Sequence, residues 1–479
     1  MNLSLLTLEL GVIGLALALL LIDLWTPPAL TGRLGLAAAI GLLLILALSW
    51  NMSGGPPVVG CGGMFARDGL ALFFKRLFLA VGVLVVLMGV EYRERLALGF
   101  GEFNVILLIA LAGMMFAASA NDFVLLFVAM ELMSVSFYVL VSFQRSRLPS
   151  LEAGVKYLIL SALAAAFLVF GIALIFGVGN TTNFAALNAE GVRLAQDKLY
   201  WLGLLMVLLG LAFKIAAFPL QMWAPDVYQG APTPVTALLA IGSKAAGFVL
   251  LLRVLFVAAP VLAAHWSKLL MLASAVKILY GNLCAIPQRS LKRLLGYSSI
   301  ANAGYLLLGV SALNADGAAA VLYYLAGYSF TLAAAFAVLC IVARDSDDIG
   351  VLAGLHRRSP LLAAGLALAM VSLAGIPPLA GFLGKFLLFK AVILQAGRDP
   401  AYFRLAGVAV VGVLISLYYY FGVIRAIYWS KDPADLSAIP VSAPMKMTLI
   451  VCIGAMLYIG IFPDTLWEAA TEAVKTLKF

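Results

Sequence analysis

The chain has 479 residues, 64% of them hydrophobic and 11% charged, with a formal net charge of +9. Soluble globular domains run at about 45–50% apolar, so the composition leaves an all-α polytopic membrane protein as the class. The basic residues are spread over short loops rather than gathered into an arm or stripe, which fits membrane topology and gives no reason to expect nucleic acid as a partner.

Apolar runs of about 20 residues predict roughly 14 transmembrane helices. The first three, at about 3–25, 30–50 and 70–90, form an N-terminal segment over residues 1–101. The first run, LSLLTLELGVIGLALALLLIDLW, carries Glu9 and has no Lys or Arg before it, so it reads as a retained helix rather than a signal peptide. Two groups of five helices follow, over 102–258 and 259–430, and a loop and last helix occupy 431–479. The longest polar stretch, near 179–198, leaves no room for a soluble domain.

Basic residues in alternate loops set an orientation. One set of loops holds Arg93, Arg95, Arg145, Arg147, Arg289, Lys292, Arg293, Arg344, Arg357, Arg358, Lys431 and Lys446. The opposite set holds fewer, chiefly Arg67, Arg193, Lys198, Lys268, Arg398 and Arg404. The positive-inside rule then places both termini on the outer face.

The two groups of five read as copies. MELMSVSFYVLV parallels YSSIANAGYLLL (Tyr138 with Tyr305), AGVKYLI parallels AAVLYYL (Tyr157 with Tyr323), and KIAAFPLQMW parallels SLAGIPPLAG (Pro219 with Pro377). Five crossings per copy force the two into opposite orientations, an inverted-repeat plan. Pro219 in the first copy and Pro377 and Pro378 in the second fall inside helical spans. Proline removes a backbone donor and clashes with the preceding turn, so both helices are expected to break there. Carbonyls freed at membrane depth are tolerated only where they line protein or water. Packing kinks are the alternative reading.

Charges inside such helices are costly and mark functional positions, with ion movement as the default reading. Glu131 lies in NDFVLLFVAMELMSVSFYVLVSF, Lys214 in WLGLLMVLLGLAFKIAAFPL, Lys244 in VTALLAIGSKAAGFVLLL and Lys385 in LAGIPPLAGFLGKFLLF. Glu131 and Lys214 are expected partners: opposite charge favours both ionised forms while burial disfavours both. A static ion pair is the plainer alternative. Lys244, after Gly242 and Ser243, reads as a central relay site and Lys385 as an exit-side site. Lys156 is close enough to a helix end to snorkel and is a candidate modulator of the first pair. Lys277 is a further candidate for the relay, and Lys390 is expected at the interface. Tyr323, Tyr324 and Tyr328 share one helix and are expected mainly to pack.

Cys61, Cys284, Cys340 and Cys452 are far apart and form no CxxC pair, and His265 and His356 cannot build a metal site alone. No GxGxxG fingerprint or P-loop occurs. No metal, nucleotide or redox cofactor is therefore expected on this chain.

The stretches NDFVLLFVAMELMSVSFYVLV, FKIAAFPLQMWAPDVYQGAPTPVTALLAIGSKAAGF, LKRLLGYSSIANAGYLLLG and LAGIPPLAGFLGKF together resemble the subunit N family of bacterial NADH-quinone oxidoreductase, respiratory complex I. The likeness covers nearly the whole chain and is most specific from Phe213 to Phe248. It implies an antiporter-like, proton-translocating subunit of the membrane arm. In it Glu131, Lys214, Lys244, Lys385 and Lys156 would occupy the family's charged axis. It also implies neighbouring antiporter-like and small membrane subunits as partners, with lipids and protons, a place in the cell inner membrane, and FMN and iron–sulfur clusters in other subunits. A subunit of a multi-subunit cation/proton antiporter, a membrane anchor in a hydrogenase-related complex and a purely structural subunit remain alternatives.

Overall fold

In the computed structural model the chain is described at residues 3–27, 30–52, 57–96, 99–343, 346–397, 399–429 and 436–479. Arg344, Arg398 and Lys431, used above for orientation, lie outside these residues. Lipid offers no partner to backbone N–H and C=O groups, so each crossing satisfies its own as a helix. The N-terminal segment contains α1 (Thr7–Asp23), α2 (Thr31–Trp50) and α3 (Gly69–Tyr92). A short antiparallel hairpin, β1 (Val58–Gly60) with β2 (Phe65–Arg67), links α2 to α3, with Val58 opposite Arg67. The Nδ2 groups of Asn121 and Asn183 both donate to the Gly63 carbonyl, each at 2.9 Å, and pin this hairpin to the loops beside it.

The first five-helix group runs α4 (Phe100–Ala118), α5 (Phe123–Val141) and α6 (Leu148–Gly179). After two short loop helices, α7 (Phe184–Ala189) and α8 (Gly191–Leu194), come α9 (Lys198–Lys214) and α10 (Trp223–Gly230). The group closes with α11 (Thr233–Leu238) and α12 (Lys244–Arg253), which a π-helical turn over Leu239–Ser243 joins into one span. Gly171 on α6 and Gly203 on α9 let the two backbones meet: a Cβ on Gly171 would lie 2.6 Å from the Gly203 carbonyl oxygen. Small residues at such crossings give close packing where lipid removes the hydrophobic drive.

The second group runs α13 (Ala263–Ala285), α14 (Leu291–Ser311) and α15 (Ala315–Val342). A short α16 (Leu355–Arg358) precedes α17 (Pro360–Ala374), α18 (Ala380–Gln395) and α19 (Ala401–Tyr428). α20 (Ala443–Ile461) makes the last crossing, and α21 (Asp464–Val474) follows it. Among the described residues twelve helices are long and apolar enough to cross a membrane. Two further crossings are interrupted, α9/α10 and α17/α18, one in each group. With the twelve, they match the count and the two broken helices expected from the sequence.

The breaks carry the same local signature. Ala216 (φ 50°) precedes Pro219 by three residues, and Gly375 (φ 83°) precedes Pro378 by three; both Phe218–Pro219 and Pro377–Pro378 are cis. By the left-handed residue three places before each, Pro219 pairs with Pro378, one residue on from the sequence alignment with Pro377. The double proline concealed the register.

Candidate functional site

Lys214 is the last residue of α9, at the lip of the first break, and only 2% exposed. Its Nζ donates to Ser134 Oγ at 2.7 Å and to the Tyr157 hydroxyl at 3.2 Å. Glu131 is half-buried on α5 and, among the described residues, makes no ion pair with Lys214. Ser134 lies three residues after Glu131 on the same helix face, and its hydroxyl takes the amine that the sequence assigned to the carboxylate. The amine of Lys214, expected as the partner of Glu131, is thus bonded to Ser134 and Tyr157 instead.

Lys244 begins α12 immediately after the π-helical turn and is 2% exposed. Such turns shift the register of a helix and often occur at functional positions. Its Nζ donates to the Ser299 carbonyl at 2.6 Å and also contacts Ser299 Oγ. Ser299 Oγ and the Tyr228 hydroxyl are 3.1 Å apart, and the amine lies 5.5 Å from the centre of the Tyr328 ring.

From Ser299 the polar groups continue along α14. Ser298, Asn302 and Tyr305 recur at the i, i+4, i+7 spacing of one helix face. Asn302 Nδ2 donates to the Ser298 carbonyl at 2.9 Å, Tyr324 donates to Asn302 Oδ1 at 2.6 Å, and Ser298 Oγ meets the Tyr420 hydroxyl at 2.5 Å. Tyr324, expected chiefly to pack, is thus part of a hydrogen-bonded network. Beyond it Lys385, 4% exposed, has its Nζ 4.9 Å from the Tyr305 ring centre.

Lys385 donates to the Leu373 carbonyl at 2.6 Å and to the Ala374 carbonyl at 3.4 Å. These belong to the last turn of α17, whose carbonyls the break has freed. A Cβ at Gly381 would lie 1.8 Å from the Ser372 carbonyl oxygen, so the close approach of α18 to α17 needs glycine there. In the first break the Phe213 carbonyl accepts from Trp223 Nε1 at 3.0 Å, and the Ile215 carbonyl from Lys277 Nζ at 2.9 Å.

Lys156 sits apart from the Glu131–Lys214 region. It is 43% exposed and bridges Glu152 Oε1 at 2.7 Å and Asp226 Oδ2 at 2.8 Å, while Asp226 Oδ1 receives Arg293 Nη1 at 2.6 Å. These groups line a polar cavity of about 410 Å³ together with Arg147, Lys292 and Asp347. Lys390 is exposed.

Four buried charges escaped the sequence reading as partners. Lys75 pairs with Glu9 at 2.7 Å, and Arg253 makes a two-pronged contact with Asp68. Lys75 and Arg253 interrupt apolar runs just as the other lysines do, so the signal was present.

A lysine held only by hydroxyls and carbonyls keeps its place with or without its extra proton, because a neutral amine still donates. Lys214, Lys244 and Lys385 are all of this kind: none has an ion-pair partner among the described residues. Buried amines beside two broken helices, in copies of one five-helix unit, define a class of ion-translocating membrane subunit. The chain belongs to the NADH:quinone oxidoreductase/Mrp antiporter transmembrane family, which it matches over residues 120–416. Within that family it is similar to NADH-quinone oxidoreductase subunit N of Heliobacterium modesticaldum, 40% identical and covering 100% of both chains. It is 38% identical to subunit N of Trichlorobacter lovleyi, over 99% of this chain and 98% of that one. A chain of respiratory complex I from Thermus thermophilus superposes with a TM-score of 0.82 at 34% identity, covering 97% of this chain and 99% of that chain.

Proposed function

We propose that the chain is a proton-translocating membrane-arm subunit of an NADH:quinone oxidoreductase. Electron transfer from NADH to quinone, on other subunits that carry FMN and iron–sulfur clusters, changes the charge facing Glu131. Lys214 then exchanges a proton with its surroundings, and the change passes to Lys244 and on to Lys385. The hydroxyls of Tyr228 and Ser299 and the Ser298–Asn302–Tyr324–Tyr420 network supply the hydrogen bonds along the way. The observation that carries this reading is that Lys214, Lys244 and Lys385 are buried with hydroxyls and carbonyls rather than carboxylates as their partners.

The functional units follow the sequence division: residues 1–101 as a supporting three-helix segment, 102–258 and 259–430 as two half-channels, and 431–479 as the closing element. Lys156 serves at the mouth of the first half-channel, through Asp226. The subunit sits in the cell inner membrane with both termini on the periplasmic side, among neighbouring antiporter-like and small membrane subunits and lipids.

The test compares wild type and Lys214→Ala in inverted membrane vesicles, following NADH-driven quinone reduction and internal acidification together. Loss of acidification in an assembled complex supports the reading. Acidification at the wild-type level removes Lys214 from the path. A defect confined to NADH-independent cation/proton exchange moves the chain to the antiporter branch of its family.

A further inference from the structure

Lys277 is a further buried amine, 1% exposed at the middle of α13. Its Nζ reaches across to the Ile215 carbonyl, 2.9 Å away. Ile215 follows Lys214 directly in the chain and precedes the left-handed residue Ala216. In the second break the residue before left-handed Gly375 is Ala374. Its carbonyl and that of Leu373 accept from Lys385. In both repeats, then, a buried lysine amine closes the carbonyl end of the first half-helix at the equivalent place. In the second repeat the lysine comes from the same broken helix; in the first it comes from the adjacent span.

The chemistry explains why an amine is used. A carbonyl freed at mid-membrane has no water to turn to, so an unmade hydrogen bond there is expensive. The C-terminal end of a helix also carries partial negative charge, which a cation complements. α13 is held where Lys277 can reach: a Cβ on Gly304 of α14 would lie 3.1 Å from Lys277 Cβ and 2.9 Å from the Ile278 nitrogen. α12 packs from the other side, where a Cβ on Gly247 would lie 2.7 Å from Ile215 Cγ2 and 3.2 Å from Lys214 Cβ. Lys277 thus bonds to the residue next to Lys214.

We infer that Lys277 is a positioning residue of the first half-channel: by capping the Ile215 carbonyl it holds the broken helix, and with it Lys214, in the geometry that passes a proton towards Lys244. This rests on the proton-translocating reading of Lys214 and extends it to a residue in a different helix. The amine acts through its donated hydrogen bond, so arginine, which also donates, can replace it.

The experiment uses the whole assembled complex in inverted vesicles, with Lys277→Met and Lys277→Arg beside Lys214→Ala. Coupled acidification should fall about tenfold in Lys277→Met, the cost of one lost buried hydrogen bond, and recover in Lys277→Arg. Amide exchange in a peptide spanning residues 213–222, read by mass spectrometry, should speed up in Lys277→Met and return in Lys277→Arg. Should the Met variant not assemble, Lys277→Gln, whose shorter chain stops before the carbonyl, takes its place with the same readouts. Wild-type acidification and exchange without the amine would overturn the inference, as would an Arg variant no better than Met. If Lys214→Ala itself pumps normally, the underlying proton path fails; if only the Lys277 variants do, the path stands and the positioning role fails.

Discussion

Arg253 and Asp68 face each other as two parallel hydrogen bonds, Nη1 to Oδ2 at 3.1 Å and Nη2 to Oδ1 at 2.8 Å, with both side chains buried. Asp68 caps α3 through the Ala71 N–H, and Arg253 Nε donates to the Ala118 carbonyl at the end of α4. One ion pair therefore fastens the end of α12, the helix that carries Lys244, to the N-terminal segment and to the first five-helix group. The three-helix segment is tied by this clasp to the helix that carries Lys244.

The cost of breaking the clasp follows from burial. Removing one partner leaves an unpaired charge in the interior, typically about 3–5 kcal/mol, whereas replacing both by apolar residues is far milder. Asp68→Ala and Arg253→Leu should each sharply reduce the amount of assembled complex in native gels. The double variant should recover more of it than either single one. Equal, additive losses would show that the two residues do not act as a pair.

Ser299 touches Lys244 with both its carbonyl and its hydroxyl, and that hydroxyl also meets Tyr228. Ser299→Ala keeps the carbonyl contact but strands a buried tyrosine hydroxyl and removes the link between Tyr228 and the amine. A buried group left unpaired costs about 1–3 kcal/mol, so coupled acidification should drop about tenfold or more. Ser49→Ala is the control, since Ser49 donates to the Leu46 carbonyl of its own helix α2 at 2.6 Å and lies outside the chain of contacts. It should pump normally; a matching loss in both variants would mean that Ser299 acts through packing alone.

The spans were legible because a bilayer demands about 20 apolar residues in succession, and that demand is written directly in the chain. The breaks were legible because Pro219 and the Pro377–Pro378 pair interrupt such runs. Lys214, Lys244 and Lys385 stood out because an amine at that depth is rare. Their partners did not stand out. Ser134 and Ser299 sit on helices rich in small residues, where a hydroxyl has many ordinary uses, and only the reach of Lys214 from α9 to α5 and of Lys244 from α12 to α14 selects one. The pairing of Glu9 with Lys75 joins residues far apart in the sequence, so no local pattern could supply it. Glu131 and Lys214 were legible as buried charges, but the sequence could not show that the hydroxyls of Ser134 and Tyr157 are what bond the amine.

Lys156 supplies the sharpest contrast among the lysines. Its amine is bound by two carboxylates, Glu152 and Asp226, in a solvent-facing cluster with Arg293. Exposed pairs of this kind contribute only about 0–1 kcal/mol to stability, and removing one leaves groups that water can still serve. Lys156→Met should therefore leave the complex assembled. At low ionic strength its coupled acidification should fall no more than about fivefold, as befits a group at a hydrated mouth, whereas Lys214→Ala should abolish the signal. Raising the salt concentration screens exposed charges far more than buried ones. The difference between wild type and Lys156→Met should thus shrink with added salt while the Lys214→Ala defect stays fixed. Vesicle acidification measured across a salt series checks both parts, and a salt-independent, complete loss in Lys156→Met would place that amine inside the buried relay instead.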